Sequence, residues 1–444
     1  MPEINTLLEE GIGNKNEDLK DNSVKNASNF KKDSGRDKRN DLDEKTETFE
    51  KIKGKGDKLV LYVVIGVGTL LIFTGFIYAV SSLNYWKDKD SLSPLADGDG
   101  LKTSIQKENN NVSGGDYGEI PSPINGSYTP KDSESVWTKR RPLGIMINNH
   151  TEARPQKCLQ NADIVYEAVA EGGITRFLAI FLTKDCDIVG PIRSARVYYE
   201  DWLAEYQGIY AHWGAAYQDP NDPNVTFPEA DAYLKINELN LPDLDQMWVG
   251  DSAYWREDRP GKALEHTGYA STSKLWDSYV NKYPEADWRI VMPFDSWSFK
   301  DDISESERAS SAVLEFNFWD LMPGYNVKWE YNKQTNTYKR YQGGEPIKDE
   351  DSGAEAQAKT IIMQFTQESR VGDLKNHLLY QTLGSGDAKI YMDGKETTAK
   401  WSKSSSRSRT KYLDASGSPV KLNRGQIWVE IVPTGNTISY QSSN

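Results

Sequence analysis

Two glutamates and an arginine stand in strand-like sequence, where charged side chains would be half buried. Residues 163–185 predict two strands joined by a two-glycine turn, the signal of a tight β-hairpin. Counting back from the turn puts Val169 opposite Arg176. Because side chains alternate along a strand, Glu167 and Glu171 then lie diagonally beside that arginine on the same face. This is either a salt-bridged sheet face or a carboxylate pair in a cleft, where the arginine sets the ionisation that acid/base chemistry needs.

A second group of charges opens a predicted helix. In the segment GPIRSAR, Arg193 and Arg196 flank Ser194, which suits the N-cap position. Helix N-termini attract anions, so this segment predicts a phosphate or carboxylate site. The alternative is that both arginines pair with internal acids such as Glu167 or Glu171. Ser194 has no Gly-x-Ser-x-Gly context and is not supported as a nucleophile.

Histidines could add proton transfer to these charges. His212 ends a predicted strand and is the candidate proton shuttle, although a histidine with satisfied hydrogen bonds in the core would fit there equally. No HExxH or similar spacing is present, so we expect no metal site. The candidate catalytic residues are Glu167, Glu171 and His212. The candidate ligand-binding residues are Asn148, Arg176, Arg193, Ser194, Arg196 and His266.

The chain has two cysteines, Cys158 and Cys186. Extending the register of the hairpin brings Cys158 close to Cys186 or Asp187. Both would lie outside the cell, so a disulfide across the base of the hairpin is plausible, with two buried thiols as the alternative. No histidine stands at ligand spacing from either, which argues against a metal at this pair.

The composition divides the 444 residues into parts of different character. Net charge is −13, which argues against a general nucleic-acid binder. Residues 1–58 are polar and highly charged, and predict a disordered tail. Residues 59–80 carry no charge and are long enough for a transmembrane helix, with a buried core helix as the alternative. Residues 81–135 are rich in Ser, Asp, Asn and Gly and predict a flexible linker.

The residues beside the apolar segment 59–80 predict its orientation. Lysines at 51, 53, 55 and 58 precede it, whereas the charges just after it balance each other. The positive-inside rule then puts the N-terminus in the cytoplasm and residues 81–444 outside, in a single-pass topology at the plasma membrane. No cysteine stands directly after the segment, so no lipid-anchoring signal is visible there.

The remaining chain predicts an α+β protein. Residues 136–287 predict a mixed α/β domain, with strands at 142–149 and 208–213, the hairpin, a helix at 194–207 and a second helix from about Ser271. Residues 288–444 form short alternating runs separated by glycine-containing turns, which predict a mainly antiparallel β domain.

Several motifs resemble the YerB-like lipoprotein family. They are RPLGIMINNH, ARPQ, ADIVYEAVAEGGITRF, GPIRSAR and AHWG, and the later pattern from MDGKETTAKWSK onward looks like the smaller C-terminal domain of that family. The resemblance implies a protein at the envelope of Gram-positive bacteria, of unknown function, and brings no catalytic residues with it. This chain differs from the family pattern in having a predicted transmembrane helix instead of a lipidated cysteine. It also has Lys157-Cys158 after ARPQ, where a small residue is usual.

Together these features predict a membrane-anchored extracytoplasmic binding or accessory protein without a cofactor. Its partner would be an anionic envelope component or a cell-wall protein, recognised through the segment from Arg193 to Arg196. One alternative is a hydrolase of envelope glycan or phosphodiester bonds, with Glu167 or Glu171 as acid/base. Another is a structural scaffold without a ligand site.

Overall fold

The computed structural model describes residues 117–283 and 295–443. The predicted tail at 1–58, the predicted membrane helix at 59–80 and the first part of the predicted linker, 81–116, lie outside the described residues. Within the described residues, no helix is long and apolar enough to cross a membrane.

Strands make up most of the described fold. In chain order they are β1 (Leu143–Asn148), β2 (Ile164–Glu171), β3 (Ile174–Phe181), β4 (Ile209–His212), β5 (Asp243–Asp245), β6 (Tyr254–Arg256), β7 (Gly268–Ala270), β8 (Phe299–Lys300), β9 (Ser311–Phe316), β10 (Val327–Asn332), β11 (Thr337–Gln342), β12 (Glu345–Pro346), β13 (Gln357–Ala358), β14 (Thr360–Thr366), β15 (Glu368–Arg370), β16 (Leu378–Tyr380), β17 (Gly384–Met392), β18 (Lys395–Lys403), β19 (Lys411–Leu413), β20 (Leu422–Asn423), β21 (Ile427–Pro433) and β22 (Ile438–Ser443). The α-helices are α1 (Lys131–Trp137), α2 (Val197–Ala204), α3 (Ala232–Leu239), α4 (Gln246–Val249) and α5 (Thr272–Lys282).

A ten-stranded sheet of the described residues has the order β19-β18-β17-β14-β21-β2-β3-β1-β4-β5. The hairpin β2–β3 and the pair β1–β3 are antiparallel, whereas β1, β4 and β5 run parallel. A second, antiparallel sheet has the order β12-β11-β10-β9-β22, with β13 added beside β11. The predicted mixed α/β region followed by a mainly antiparallel β region is therefore confirmed, and β14–β21 is a parallel pair within the later region.

Burial explains why these segments form these strands. Every residue of β1 is buried, and so is nearly all of β2 and β3, because these strands lie inside the large sheet and are covered on both faces. Strands β10 and β11 alternate between buried and partly exposed residues, as expected for strands with one face on the core.

The two predicted domains share the large sheet. Strand β2 from the first half pairs in parallel with β21 from the second half, in the register Ile164↔Ile427 to Glu167↔Glu430. The backbone hydrogen bonds of the sheet thus continue across the predicted boundary at residues 287 and 288.

Part of the predicted linker packs against the folded region. Ile124 is fully buried, and Asn125 donates to the carboxylate of Asp163 at 2.6 Å. Trp137, at the end of α1, donates its indole N–H to Thr129 Oγ1 at 2.7 Å. Residues 117–135 are therefore held by specific contacts, unlike the flexible linker that their composition predicts.

Candidate binding site at the end of strand β1

A β-bulge in the central hairpin decides which charges meet. The two-glycine turn forms as predicted, with positive φ at both glycines, but the register shifts between Val169 and Glu171. Arg176 therefore faces Ala168 instead of Val169. A slip of one residue turns side chains to the other face of a sheet. The predicted position of Arg176 between Glu167 and Glu171 is therefore wrong.

Glu167 belongs to a fully buried polar network. Its carboxylate accepts hydrogen bonds from Arg340, from Thr175 Oγ1 at 2.6 Å and from Gln342 Nε2 at 2.9 Å. Arg340 also pairs with Glu430, and none of these three charged side chains is exposed. Glu167 does not line an open cleft, so the predicted acid/base pair of Glu167 and Glu171 is not formed.

Glu171 lies on the opposite face of the hairpin, between two arginines. It accepts from Arg176 at 2.9 Å and from Arg196. Burial alone raises the pKa of Glu171, but these two guanidinium groups lower it to about 2, so the carboxylate is ionised. Arg176 and Arg196 are themselves buried. The structure thus uses them as internal ion-pair partners, which is the alternative that the sequence left open.

Ser194 does not cap helix α2. The helix begins at Val197, and its N-cap residue is Arg196, without a capping side chain. The hydroxyl of Ser194 instead donates to the carbonyl oxygen of Trp213 at 3.1 Å. Ala195 still forms a β-bridge, so the chain stays extended past Ser194 and the helix starts three residues later than predicted.

His212 is a fully buried residue at the end of β4. Its Nε2 lies 3.0 Å from Oδ1 of Asp243, and its Nδ1 lies 2.9 Å from the carbonyl oxygen of Gly214. Both ring nitrogens are engaged, so the structure does not bring His212 together with Glu167 and Glu171 as a catalytic set.

The accessible charges of this region lie where β1 ends. Arg193 donates to Glu265 at 3.1 Å, and their side chains are 28% and 54% exposed. His150 and His266 stack with their ring centroids 4.8 Å apart. Glu152 Oε2 lies 3.6 Å from His266 Nε2. We call these five residues the strand-end cluster. It contains two of the predicted ligand-binding residues, Arg193 and His266.

Asn148, the last residue of β1, contacts the backbone of His150 and the imidazole of His266. Its Oδ1 accepts from the backbone N–H of His150 at 2.9 Å, which directs its amide nitrogen to Nδ1 of His266, also at 2.9 Å. Asn148 is buried. It therefore positions the strand-end cluster and does not form its exposed surface.

The strand-end cluster has the residue types of a metal site but the wrong protonation. Ligand atoms of His150, Glu152 and His266 lie within 4.8 Å of one another. However, Nδ1 of His266 accepts from Asn148, and Nδ1 of His150 accepts from the backbone N–H of Glu152 at 3.2 Å. Each neutral ring therefore carries its proton on Nε2, where a metal would need a lone pair. The Nε2–H group of His266 faces the carboxylates of Glu152 at 3.6 Å and Glu265 at 3.9 Å.

The protonation of His266 leads to a testable pH dependence. Burial, and then the charges of His150 and Arg193, lower the pKa of His266. A histidine with a lowered pKa stabilises the fold above its unfolded pKa of about 6.5, and this stabilisation is lost as the pH falls. We expect the wild type to lose stability relative to His266→Gln between about pH 7.5 and pH 5 in urea unfolding. A wild type that gains stability relative to His266→Gln as the pH falls would contradict the lowered pKa of His266.

Cys158 and Cys186 form the predicted disulfide across the base of the hairpin. Cys158 precedes β2 and Cys186 follows β3, so the bond closes the loop that contains both strands. The backbone N–H of Cys186 also donates to Thr272 at the start of α5. Disulfides of this kind persist in oxidising compartments.

Sequence reasoning missed Arg340 and Glu430, the partners of Glu167. The available signal was the alternation in β11, where Tyr338, Arg340 and Gln342 occupy every second position and all face the core. A charged residue at an inward position of a strand requires a buried partner. That partner could not be identified from sequence because it lies on a distant strand.

The fold and the site define a class of protein. The chain is a disulfide-containing α+β protein in which a large mixed sheet carries buried arginine–carboxylate pairs and an exposed charged cluster at a strand end. Comparison with known proteins then shows the family. Residues 128–285 match the family described as "Protein of unknown function (DUF3048) N-terminal domain", and residues 318–429 match its C-terminal domain.

Two comparisons, one with a protein sequence and one with a crystal structure, give the family in more detail. It is 27% identical over 332 residues to the Bacillus subtilis (strain 168) protein named "Putative lipoprotein YerB", covering 71% of this chain and 87% of that protein. The crystal structure of YerB protein from Bacillus subtilis has a similar fold, with a TM-score of 0.59 and 24% identity over 72% of this chain and all of that one. The chain belongs to the YerB-like family, as its motifs predict.

Proposed function

We propose that this protein is an envelope-associated, extracytoplasmic binding or accessory protein that recognises an anionic group through the strand-end cluster. The observation that carries the proposal is the partly exposed guanidinium of Arg193 close to the stacked rings of His150 and His266. Charge-assisted donors of this kind suit a carboxylate or phosphate. The carboxylate of Glu265, more than half exposed, pairs with Arg193. Because exposed ion pairs are weak, an anionic ligand can displace Glu265 from Arg193.

The proposed location is the outer side of the plasma membrane, with residues 59–80 as a single membrane-spanning helix. Three observations support it: the uncharged segment itself, the disulfide between Cys158 and Cys186, and a relative that is named as a lipoprotein. In this proposal the helix replaces the lipid anchor and keeps the domain at the same surface.

The hydrolase alternative is disfavoured by the positions of its residues. Glu167 is enclosed with Arg340, Glu171 is engaged by two arginines, and His212 is enclosed with Asp243. A structural scaffold without a ligand site is the other alternative. The binding test separates it from the proposal, because the partly exposed Arg193 would then contribute nothing to binding.

The test is sedimentation of the purified protein with isolated Gram-positive cell walls, together with crosslinking in cells from positions beside the cluster. Arg193→Gln should reduce wall binding about tenfold or more and weaken crosslinks, because it removes the exposed cation. Arg196 is not replaced in this test, because its loss would remove one of the two cationic partners of the buried Glu171. Walls stripped of phosphodiester polymers distinguish a phosphate from a carboxylate ligand.

Arg424→Gln is the matched control. Arg424 is 24% exposed at its side chain and pairs with exposed Asp301, much as Arg193 pairs with Glu265. If Arg193→Gln and Arg424→Gln bind walls equally well, or if the wild type does not bind, the proposal is wrong.

A further inference from the structure

An exposed aromatic patch lies around the short helix α4. Trp248 and Met247 on this helix are 55% and 64% exposed, and Tyr217 is 51% exposed. The ring of Tyr233 links them, with centroid distances of 6.1 Å to Tyr217 and 6.2 Å to Trp248. Contiguous exposed apolar surface of this kind is uncommon in soluble domains and usually marks an interaction site.

Two acids beside the patch, the buried Asp245 and the partly buried Asp243, hold its rings in place. The indole N–H of Trp248 donates to Oδ2 of Asp243 at 2.9 Å, and Asp243 is held through its other oxygen by His212. Tyr233 donates its hydroxyl to Asp245, which also caps α4 by accepting from Met247. Exposed rings that are fixed by buried partners lose little entropy when a ligand binds.

Two cavities adjoin at Trp248. One has a volume of about 490 Å³ and the other about 520 Å³, and Trp248 and Lys282 line both. Each is within the size range of small-molecule sites. The polar side chains that line one or other of them include Asn237, Asn240, Asp277, Ser278 and Asn281. The result is a groove with an aromatic ring at its centre and amide, hydroxyl and carboxylate groups along its sides.

The charges of the groove indicate an uncharged ligand. Lys274 and Lys282 line it together with Asp277 and Asp243, so cations and anions balance. The ammonium of Lys282 also donates to the backbone oxygen of Asp243 at 2.7 Å. A polyanion would gain little here, which distinguishes this groove from the strand-end cluster.

We propose that the groove around Trp248 binds an oligosaccharide of N-acetylated amino sugars, with sugar units on both sides of the indole. A pyranose ring packs its C–H face against an aromatic ring while its hydroxyl groups hydrogen-bond at the edges, and this matches the arrangement of Trp248 and the asparagines. Val249, which is partly exposed, lines one cavity and offers an apolar contact for an acetyl methyl group, whereas Ile236 and Leu241 at the other cavity are almost completely buried. The site shares no residue with the strand-end cluster and goes beyond the proposed function.

The test is calorimetric titration of the protein with the soluble tetramer of N-acetylglucosamine and with a glucose tetramer as the comparison sugar. We expect saturable binding of the first and at least about tenfold weaker binding of the second. Trp248→Ala should weaken binding about tenfold or more, whereas Trp248→Phe keeps an aromatic face and should retain most of it. Tyr117→Ala, which removes an aromatic ring that is 48% exposed elsewhere, is the control and should bind like the wild type.

Two results would overturn the inference. One is the absence of saturable binding of the N-acetylglucosamine tetramer to the wild type, and the other is unchanged affinity in Trp248→Ala. Arg193→Gln should bind the tetramer normally, so failure at this groove and failure at the strand-end cluster remain distinguishable. Circular dichroism of each variant confirms that a loss of binding is not a loss of folding.

Discussion

Replacing Arg340 by methionine should lower the free energy of unfolding by about 3–5 kcal/mol. The guanidinium pairs with Glu167 and Glu430 and lies 5.0 and 4.9 Å from the ring centroids of Trp329 and Trp428. Methionine fills much of the volume but leaves the buried carboxyl group of Glu167 without its cationic partner. Urea and thermal unfolding at neutral pH measure the loss.

Glu430→Gln is the control for this prediction. Burial raises the pKa of Glu430 to about 8. Arg340 lowers this pKa and Glu167 raises it, and the carboxyl group is mostly neutral at pH 7. Glutamine is a neutral group of the same shape that does not have to bind a proton on folding, so we expect no loss of stability at neutral pH. If Arg340→Met and Glu430→Gln lose equal stability, the ion-pair explanation is wrong.

The raised pKa of Glu430 also determines how the free energy of unfolding changes with pH. A group whose folded pKa is raised contributes stability that is complete below its unfolded pKa, about 4.3 for glutamate, and is lost as the pH rises through the folded value. The wild type should therefore lose stability relative to Glu430→Gln between about pH 4.3 and pH 8.

Replacing Glu205 by glutamine should cost about 3–5 kcal/mol at neutral pH. Glu205 follows α2 and accepts from Lys403 at 3.0 Å and from Arg409 at 3.2 Å, with all three side chains almost completely buried. It also accepts from the hydroxyl of Tyr166 at 2.7 Å. Glutamine leaves both cations without an anion in a region that water does not reach.

The pH dependence of this loss follows from the pKa of Glu205. Burial alone raises it, but Lys403 and Arg409 lower it to about 2. A lowered carboxyl pKa stabilises the fold above the unfolded value and loses this effect as the pH falls. The difference between wild type and Glu205→Gln should therefore shrink from about pH 5 toward pH 2.

Lys400→Gln is the matched control for the Glu205 network. Lys400 pairs with Asp387, and both side chains are about three-quarters exposed, at 74% and 76%. Exposed pairs of this kind contribute at most about 1 kcal/mol. Urea unfolding of Glu205→Gln and Lys400→Gln should therefore give clearly different losses, and similar losses would contradict the proposed role of burial.

Local patterns predicted the hairpin, the second helix and the disulfide because each depends on residues close in sequence. The two-glycine turn and the alternation of apolar residues determine β2 and β3, and the ends of these strands bring Cys158 and Cys186 together. The family could also be predicted from the sequence, because short motifs identify it.

The site could be predicted only in part, because one inserted residue changed its geometry. The bulge before Glu171 is invisible in the sequence, yet it turns Glu167 away from Arg176 and toward Arg340. The aromatic groove was also missed. Trp248 lies on a four-residue helix, too short to show a periodic pattern.

The position of β21 has a consequence for the time course of folding. Strand β21 lies between β2 and β14 and pairs in parallel with both. Until residues 427–433 are present, β2 has an open edge of unpaired backbone groups, which is a template for aggregation. Contacts between residues so far apart in sequence also give a high contact order and slow closure. We therefore expect the sheet to close late, so that during synthesis from the N-terminus the edge of β2 has no strand beside it until β21 has been made.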